Sequence, residues 1–243
     1  YHIGNTAQMY GFSKIVNSGT NNIDAVLDGD VMFETAMIMN DFYGTFDGQG
    51  HTMNMNIEIS GKEGAAPFFN LRGATVKNLT VTGEITSDNK FAAAIAAHAY
   101  DASTIENIQS YVNIHGTKAG DGTHGGILAV NNTGAGKVIN CLVAGTMDGT
   151  ASMNGGIIGY GAEAATIINS LIIANITWAT NSSNIMGRNQ VKAENCYYLT
   201  PYGGTMAGAT QVTDEQLMDG SIAMALNKGK SHLSVAWRQD LGA

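Results

Sequence analysis

Residues 76–83 read Val-Lys-Asn-Leu-Thr-Val-Thr-Gly, and this pattern decides the fold because it recurs along the chain. Later copies begin at Ile105, Val138, Ile167 and Ala193, and a looser copy comes earlier. The shared asparagines are separated by 24 to 33 residues, an irregular spacing that argues against rigid helical repeats. They are Asn54, Asn78, Asn107, Asn140, Asn169 and Asn195.

Each repeat holds three short apolar runs that are divided by Gly, Asn or Asp and show no helical period. One run contains the asparagine, one follows it, as in Leu79–Gly83, and one precedes it, as in Gly125–Leu128 and Gly155–Gly159. Runs of this kind can pair as strands with their equivalents in the next repeat, and the stacked strands then enclose a continuous apolar core. The sequence therefore predicts an all-β chain that forms a right-handed parallel β-helix of about five to six coils, with about three short strands per coil.

The recurring asparagine predicts a bend at which each coil turns. Asparagine tolerates the left-handed backbone region better than other residues, and stacked amides can hydrogen-bond from coil to coil. We therefore expect the six asparagines to form a structural turn ladder rather than a reactive site. Cys141 and Cys196 occupy equivalent places two coils apart, about 9.6 Å, which is too far for a disulfide. Both thiols should be free and buried.

The two ends of the chain carry helix signals. Asn5 and Thr6 precede an apolar stripe that includes Phe12, and Thr213–Gln216 has the pattern of a capping box before a second stripe that ends at Gly229. We expect these short helices to cap the ends of the β-helix. The chain is then one domain, with an N-terminal helix and entry strands in 1–41, stacked coils in 42–204 and a capping segment in 205–243.

Composition excludes several classes of function. The net charge is −8, with only 12 Lys and Arg among 243 residues, so neither nucleic acid nor an anionic membrane is an expected partner. The sequence contains no run of 18 apolar residues, so membrane insertion is not predicted. Glycine-rich segments lack a phosphate-binding context, and His and Cys lack metal-ligand spacing, so no cofactor and no metal are predicted.

The segment Phe42–Met53, which reads FYGTFDGQGHTM, resembles the GLUG-motif β-helix domains of bacterial surface proteins. Gly156–Gly159 and the segment Trp237–Gly242 are also similar to that family. The resemblance implies a part of a longer exported protein, on the cell surface or secreted, with an adhesin-like role and a glycan or host/matrix protein as partner. It implies no catalytic residues. Some members belong to immunoglobulin-cleaving metalloproteases whose protease is a separate domain, and this chain has no HExxH motif.

An alternative reading is a polysaccharide lyase or glycoside hydrolase of the β-helix type. Loops that follow the third strand of successive repeats would align on one flank, where paired acids and a base could act on a glycosidic bond. The four candidate catalytic residues are Asp88, Asp121, His124 and Asp148. Asp47 and His51 are also close in sequence, but the glycines around them favour a tight bend in which Asp47 bonds to local backbone.

Tyr100 and Tyr160 are the candidate ligand-binding residues, because each follows an apolar run at a turn and an exposed ring can stack on a sugar. Two hypotheses therefore remain. The favoured one is a non-catalytic surface module that binds a glycan or protein, or that acts as a rigid spacer. The other is the polysaccharide-degrading enzyme.

Overall fold

The computed structural model describes residues 1–34, 38–60, 64–118, 122–151, 153–178, 183–230 and 235–239. Within these ranges the elements follow in this order: β1 (His2–Ile3), α1 (Thr6–Asn17), β2 (Ala25–Leu27), β3 (Val31–Phe33), β4 (Ile38–Phe42), β5 (Thr45–Asp47), β6 (Thr52–Ile59), β7 (Gly64–Ala65), β8 (Phe68–Arg72), β9 (Thr75–Ser87), β10 (Phe91–Ala93), β11 (Ala96–Tyr100), β12 (Thr104–Gly116), β13 (Thr123–Gly125), β14 (Leu128–Asn131), β15 (Gly136–Ile139), β16 (Leu142–Val143), β17 (Thr146–Gly149), β18 (Ile158–Ile168), β19 (Leu171–Ile172), β20 (Asn175–Ile176), β21 (Gly187–Glu194), β22 (Cys196–Tyr198), β23 (Ala209–Gln211), α2 (Asp214–Met218) and α3 (Ser221–Gly229).

The predicted parallel β-helix is confirmed as a β-solenoid of about five turns. Each strand pairs in parallel with the equivalent strand of the next coil, and these pairs stack into columns along the solenoid. Column 1 runs from β1 through β2 and β5 to the beginning of β9 and β12, then to β15 and the second halves of β18 and β21. Column 2 contains β3, β16, β19, β22 and β23, together with central parts of the long strands β6, β9 and β12.

Three further columns complete each coil. Column 3 contains the ends of β6, β9 and β12 with β17 and β20. Column 4 is the three-stranded sheet of β7, β10 and β13. Column 5 contains β4, β8, β11, β14 and the first halves of β18 and β21.

The glycine-rich element of each repeat is a bend between columns 4 and 5. Residues 126–127 and 156–157 form this bend in successive coils, and each bend has strand or bridge residues on both sides. A Cβ atom on Gly126 would lie 2.3 Å from the carbonyl oxygen of Gly156, and one on Gly156 would lie 2.1 Å from that of Ile185. The bends stack so closely that only glycine fits at these two positions.

The asparagine bends form a hydrogen-bonded ladder between columns 1 and 2. Each of the five main asparagines has a φ between 52° and 56°, and each amide nitrogen donates to the side-chain oxygen of the residue one coil before. Donor–acceptor distances are 2.9, 2.7, 2.9 and 2.6 Å for the four Asn–Asn pairs. We call this set the asparagine ladder: Asn78, Asn107, Asn140, Asn169 and Asn195.

Asn54 does not belong to the ladder, which corrects the sequence prediction. Asn54 lies within β6, is exposed, and donates to the Thr82 hydroxyl at 2.8 Å. The first rung is Asp47, whose Oδ1 accepts from the Asn78 amide at 3.0 Å. An acid can replace asparagine at this end because the first rung only needs to accept a hydrogen bond.

Helix α1 closes the N-terminal end, as predicted. Its N-cap is Asn5, whose side chain accepts from the Gln8 backbone nitrogen. Phe12 enters an aromatic stack with Phe42 and Phe46 at the first coils. The helix also provides hydrogen-bond acceptors for strand edges, since Thr6 accepts from the Met32 nitrogen in β3 and Asn17 accepts from two nitrogens of β4.

The C-terminal helices form at the predicted positions, and Thr213 and Gln216 complete the capping box. They pack against the side of column 2: Ile222 and Leu226 of α3 are buried with Leu171. Helix α3 packs there because the outward residues of column 2 become apolar along the chain. Thr80 and Gln109 in the early coils are replaced by Leu142, Leu171 and Tyr197 in the later ones. Apolar residues on an outer face need a cover, and α3 supplies it.

Both cysteines are free and buried, as predicted. Burial raises the pKa of the Cys141 thiol to about 12 and that of Cys196 to about 11. The thiols therefore stay protonated and serve as small core residues.

The ladder predicts a specific stability difference. Asn107→Ala should lower the free energy of unfolding by about 2–3 kcal/mol, because alanine loses the amide hydrogen bonds and is strained at a positive φ. Asn107→Gly should recover roughly 1 kcal/mol of this loss, since glycine adopts that φ freely. The matched control Asn54→Ala should stay within about 0.5 kcal/mol of the wild type. Urea unfolding measures all three, and equal losses at Asn54 and Asn107 would contradict the ladder.

Candidate functional site

The outer face of column 5 brings the two predicted tyrosines together. Tyr100 ends β11 and Tyr160 lies in β18, and both side chains are partly exposed on this face. In register, Tyr160 is aligned with Val130 and Val130 with His98, so the tyrosines are two coils apart and offset by two residues. Strand spacing and rise place their Cα atoms about 12 Å apart.

Each tyrosine ring is covered by an arginine from a neighbouring coil. The guanidinium carbon of Arg72 lies 4.1 Å from the centroid of the Tyr100 ring, and that of Arg188 lies 5.1 Å from the centroid of Tyr160. Arg72 is the register partner of Tyr100 in β8, and Arg188 is that of Tyr160 in β21. These distances are typical of cation–π pairs. The sequence analysis missed both arginines. Each is paired with its tyrosine only through the register between coils, which the local sequence does not reveal.

Acidic partners hold Arg72 in place. Its Nε atom lies 2.6 Å from Asp41 Oδ2, and its Nη1 atom lies 3.6 Å from Asp101 Oδ2. The hydrogen bond to Asp41 raises the pKa of the guanidinium. Arg188 is held differently, because its Nη1 donates to the carbonyl oxygen of Met153 at 3.1 Å. The guanidinium groups of Arg72 and Arg188 are thus held in position before any ligand binds.

His98 fills the space beside Tyr100. Its ring contacts Phe69 and Phe91 edge-on, with centroid distances of 5.3 and 4.5 Å. Burial lowers the pKa of His98 to about 4. The Asn132 amide nitrogen lies 3.0 Å from Nδ1, and because an amide nitrogen can only donate, Nδ1 accepts and Nε2 carries the proton. The imidazole is therefore neutral at pH 7 and packs, buried, beside Tyr100, with ring centroids 6.2 Å apart.

A shallow hollow of about 530 Å³ lies beside Tyr160. Its wall combines Arg188 with the side chains of Asn184, Asn189 and Met206. An aromatic ring next to amide and guanidinium donors can bind a polar, ring-shaped ligand by stacking and hydrogen bonds. We call the surface formed by Arg72, Tyr100, Tyr160 and Arg188 the tyrosine–arginine face.

The predicted catalytic flank is not assembled among the described residues. His124 is fully buried in β13, and its Nε2 lies 3.1 Å from the carbonyl oxygen of Asn89. Asp148 is on the outside of column 3, where it pairs with His115. Asp88 accepts a hydrogen bond from the Ser60 hydroxyl. Asp121 lies outside the described residues.

His124 points inward because the coil leaves a space for it. A Cβ atom on Gly116 would lie 2.2 Å from two atoms of the His124 ring, and Trp178 packs edge-on at 5.7 Å. Burial lowers the pKa of His124 to about 4, despite a hydrogen bond with Asn89 that acts in the opposite direction. A neutral, enclosed imidazole cannot reach a glycosidic bond on the outer flank.

Asp47 and His51 belong to separate interactions. Burial acts to raise the pKa of Asp47, but hydrogen bonds from the Gln49 nitrogen and Asn78 and the charge of Lys77 outweigh it and hold this pKa below its usual value. His51 pairs instead with Asp30, at 3.5 Å. The bonds of Asp47 to local backbone and to the ladder agree with the structural role expected from sequence.

The described ranges of the chain contain no group of three or more His, Cys, Asp or Glu side chains that could hold a metal ion. They also contain no helix long and apolar enough to cross a membrane, the longest being the 12-residue α1.

Comparison with known proteins gives a structural likeness without a family. No family model matches the chain, and no curated protein matches it. One solved structure, described as a putative immunoglobulin A1 protease from Bacteroides ovatus, is similar with a TM-score of 0.68 and 17% sequence identity. The match covers 98% of this chain and 93% of that one. At this identity the likeness shows the β-solenoid fold alone, and the resemblance to GLUG-motif domains stays a prediction.

The buried His98 predicts a loss of stability in acid. Its pKa of about 4 in the folded protein lies below the ordinary 6.5, so the unfolded chain takes up the proton first as the pH falls. Stability that is complete above pH 6.5 should decline towards pH 4, by roughly 3 kcal/mol from this group. Urea unfolding between pH 7 and pH 4 should show a smaller decline in His98→Gln. An identical pH dependence in variant and wild type would contradict the assignment.

Proposed function

We propose that this chain is a non-catalytic β-helix module of an exported bacterial protein, and that it binds a glycan on the tyrosine–arginine face. The observation that carries the proposal is the presence of two tyrosine–arginine pairs on one outer face, each fixed by its own partners. Export and a cell-surface or secreted location rest on the GLUG-like sequence resemblance.

The geometry of the face suits a chain of sugars. The tyrosines lie about 12 Å apart on a sheet whose strands are hydrogen-bonded on both sides, so the two positions are fixed relative to each other. Two platforms at this separation can contact one extended oligosaccharide, and two weak contacts on one ligand reinforce each other. Because the arginines are already held in place, binding loses little side-chain entropy.

Charge favours a neutral glycan over an acidic one. Two carboxylates, Asp41 and Asp101, lie beside Arg72, and the whole chain carries a net charge of −8. A polyanionic sugar would meet repulsion from these groups, whereas hydroxyl and acetamido groups can accept hydrogen bonds from arginine without a net charge.

Two enzymatic activities are alternatives to binding, and the experiment below distinguishes them from it. One is the polysaccharide lyase or hydrolase, although His124 is enclosed and separated from the exposed Asp148. The other is proteolysis, which enters only because the similar structure is named a putative immunoglobulin A1 protease. No described cluster of side chains favours either activity over binding.

The proposal predicts glycan binding without product. On an array of neutral and acidic glycans, the wild-type chain should bind neutral ones, and Tyr100→Ala or Tyr160→Ala should weaken binding at least about fivefold, the loss expected from one stacking contact. Tyr111→Ala is the control, since Tyr111 lies on column 2 and at 43% exposure is more accessible than either Tyr100 or Tyr160.

The same samples should be assayed for new reducing ends, unsaturated sugars and cleavage of immunoglobulin A1. Release of a sugar product would replace the binding module with the polysaccharide-degrading enzyme, and cleavage of the immunoglobulin would replace it with a protease. Glycan binding that Tyr111→Ala weakens more than Tyr160→Ala would contradict the proposed face.

A further inference from the structure

The asparagine ladder already binds one extended segment, which belongs to the chain itself. Residues 235–239, which we call the strap, lie along the outside of the ladder beyond α3. The Asn140 amide nitrogen donates to the carbonyl oxygen of Val235 at 2.9 Å, and the Trp237 indole nitrogen donates to Asn140 Oδ1. One asparagine side chain thus binds a peptide carbonyl and a tryptophan at the same time.

A second asparagine holds the strap in an extended form. The Asn227 side chain accepts from the backbone nitrogen of Trp237 at 2.9 Å and donates to its carbonyl oxygen at 2.7 Å. This pair of bonds copies the contacts that a neighbouring β-strand would make. The indole ring also packs at the edge of the apolar cluster formed by α3 and Leu171.

The strap fills only part of the groove in which it lies. A groove of about 1060 Å³, which we call the ladder groove, extends from Asp47 and Gln49 past Asn107 to Leu226 and Trp237. Where α3 covers the C-terminal end of the ladder the packing is close, since a Cβ atom on Gly229 would lie 2.0 Å from the Asn195 amide nitrogen. Among the described residues the other end is the more open one, since Asn78 and Asn107 are partly exposed and Tyr111 is 43% exposed.

The open end repeats the binding chemistry of the covered end. A side-chain amide has two N–H groups and two acceptor positions on its oxygen, and the ladder uses one of each. Asn140 uses the remaining ones on the strap. Within the described ranges, Asn78 and Asn107 make only their ladder bonds through their side chains, so a donor and an acceptor remain at each.

The geometry points to the open end of the ladder groove as a docking site for an extended, tryptophan-containing polypeptide of a partner protein. Its carbonyl oxygens accept from the Asn78 and Asn107 amides, and its indole N–H donates to an asparagine oxygen, as in the strap. Tyr111, 43% exposed at the edge of this end, supplies a ring against which the indole packs. Peptide is favoured over sugar because the strap is a peptide, and it is bound by the equivalent groups of Asn140 in the same ladder.

The docking site is independent of the proposed glycan face. The ladder groove lies between columns 1 and 2, whereas the tyrosine–arginine face belongs to column 5. A failure of one site therefore leaves the other unaffected.

The test uses a fluorescein-labelled peptide with the sequence of residues 230–239, KSHLSVAWRQ, titrated with the whole chain. Fluorescence anisotropy should show saturable binding, and a peptide with alanine in place of tryptophan should bind at least about fivefold more weakly. Tyr111→Ala in the protein should weaken binding by a similar factor. The matched control is Tyr43→Ala, because Tyr43 is also 43% exposed but does not line the ladder groove.

A strap variant tests whether peptide and strap share one groove. In Trp237→Ala the stretch over Asn140 becomes available as well, so affinity for the peptide should rise at least about fivefold, provided that circular dichroism shows an unchanged fold. The proposal is overturned if neither protein gives saturable binding, if Tyr43→Ala matters as much as Tyr111→Ala, or if Trp237→Ala leaves the affinity unchanged. Glycan binding that is lost in Tyr111→Ala would assign the groove to a sugar instead.

Discussion

The hydrogen bond from one asparagine amide to the next is the interaction on which the rest of this structure depends. It occurs where the chain leaves column 1 and enters column 2, and it fixes the register of each coil against the one before. All the donors point towards the N-terminal end, so the amide dipoles add along the ladder. The ionised Asp47 lies at the end where the donors point, and its lowered pKa agrees with that arrangement.

Both candidate binding surfaces follow from that register. Constant stacking places Arg72 beside Tyr100 and Arg188 beside Tyr160, although about thirty residues of sequence separate each pair. Among the described residues, the same stacking leaves Asn78 and Asn107 with unused hydrogen-bonding groups between columns 1 and 2. The solenoid therefore converts a one-dimensional repeat into two rigid surfaces of different chemistry: one carries tyrosine rings with fixed guanidinium groups, and the other is lined by amides.

The repeat could be predicted from sequence because its asparagines are forced by backbone conformation. The prediction that Asn54 belongs to the ladder is wrong, although its local sequence resembles the motif. The first rung needs only a hydrogen-bond acceptor, and Asp47 provides it. His124 illustrates a second limit. A loop of variable length precedes it, and whether it faces in or out depends on the space that Gly116, at the end of β12 in the same coil, leaves for its ring. The arginines of the tyrosine–arginine face could be found only once the register between coils was known.

The most direct test of the central claim is hydrogen exchange of asparagine side-chain amides, followed by nuclear magnetic resonance in the intact chain. Protons that bridge two rungs should exchange slowly, because they are released only when coils separate. Asn107, Asn140 and Asn169 should each show one strongly protected amide proton, whereas the exposed Asn54 should exchange far faster. Equal exchange at Asn54 and at these three residues would contradict the ladder, and with it the register that builds both surfaces.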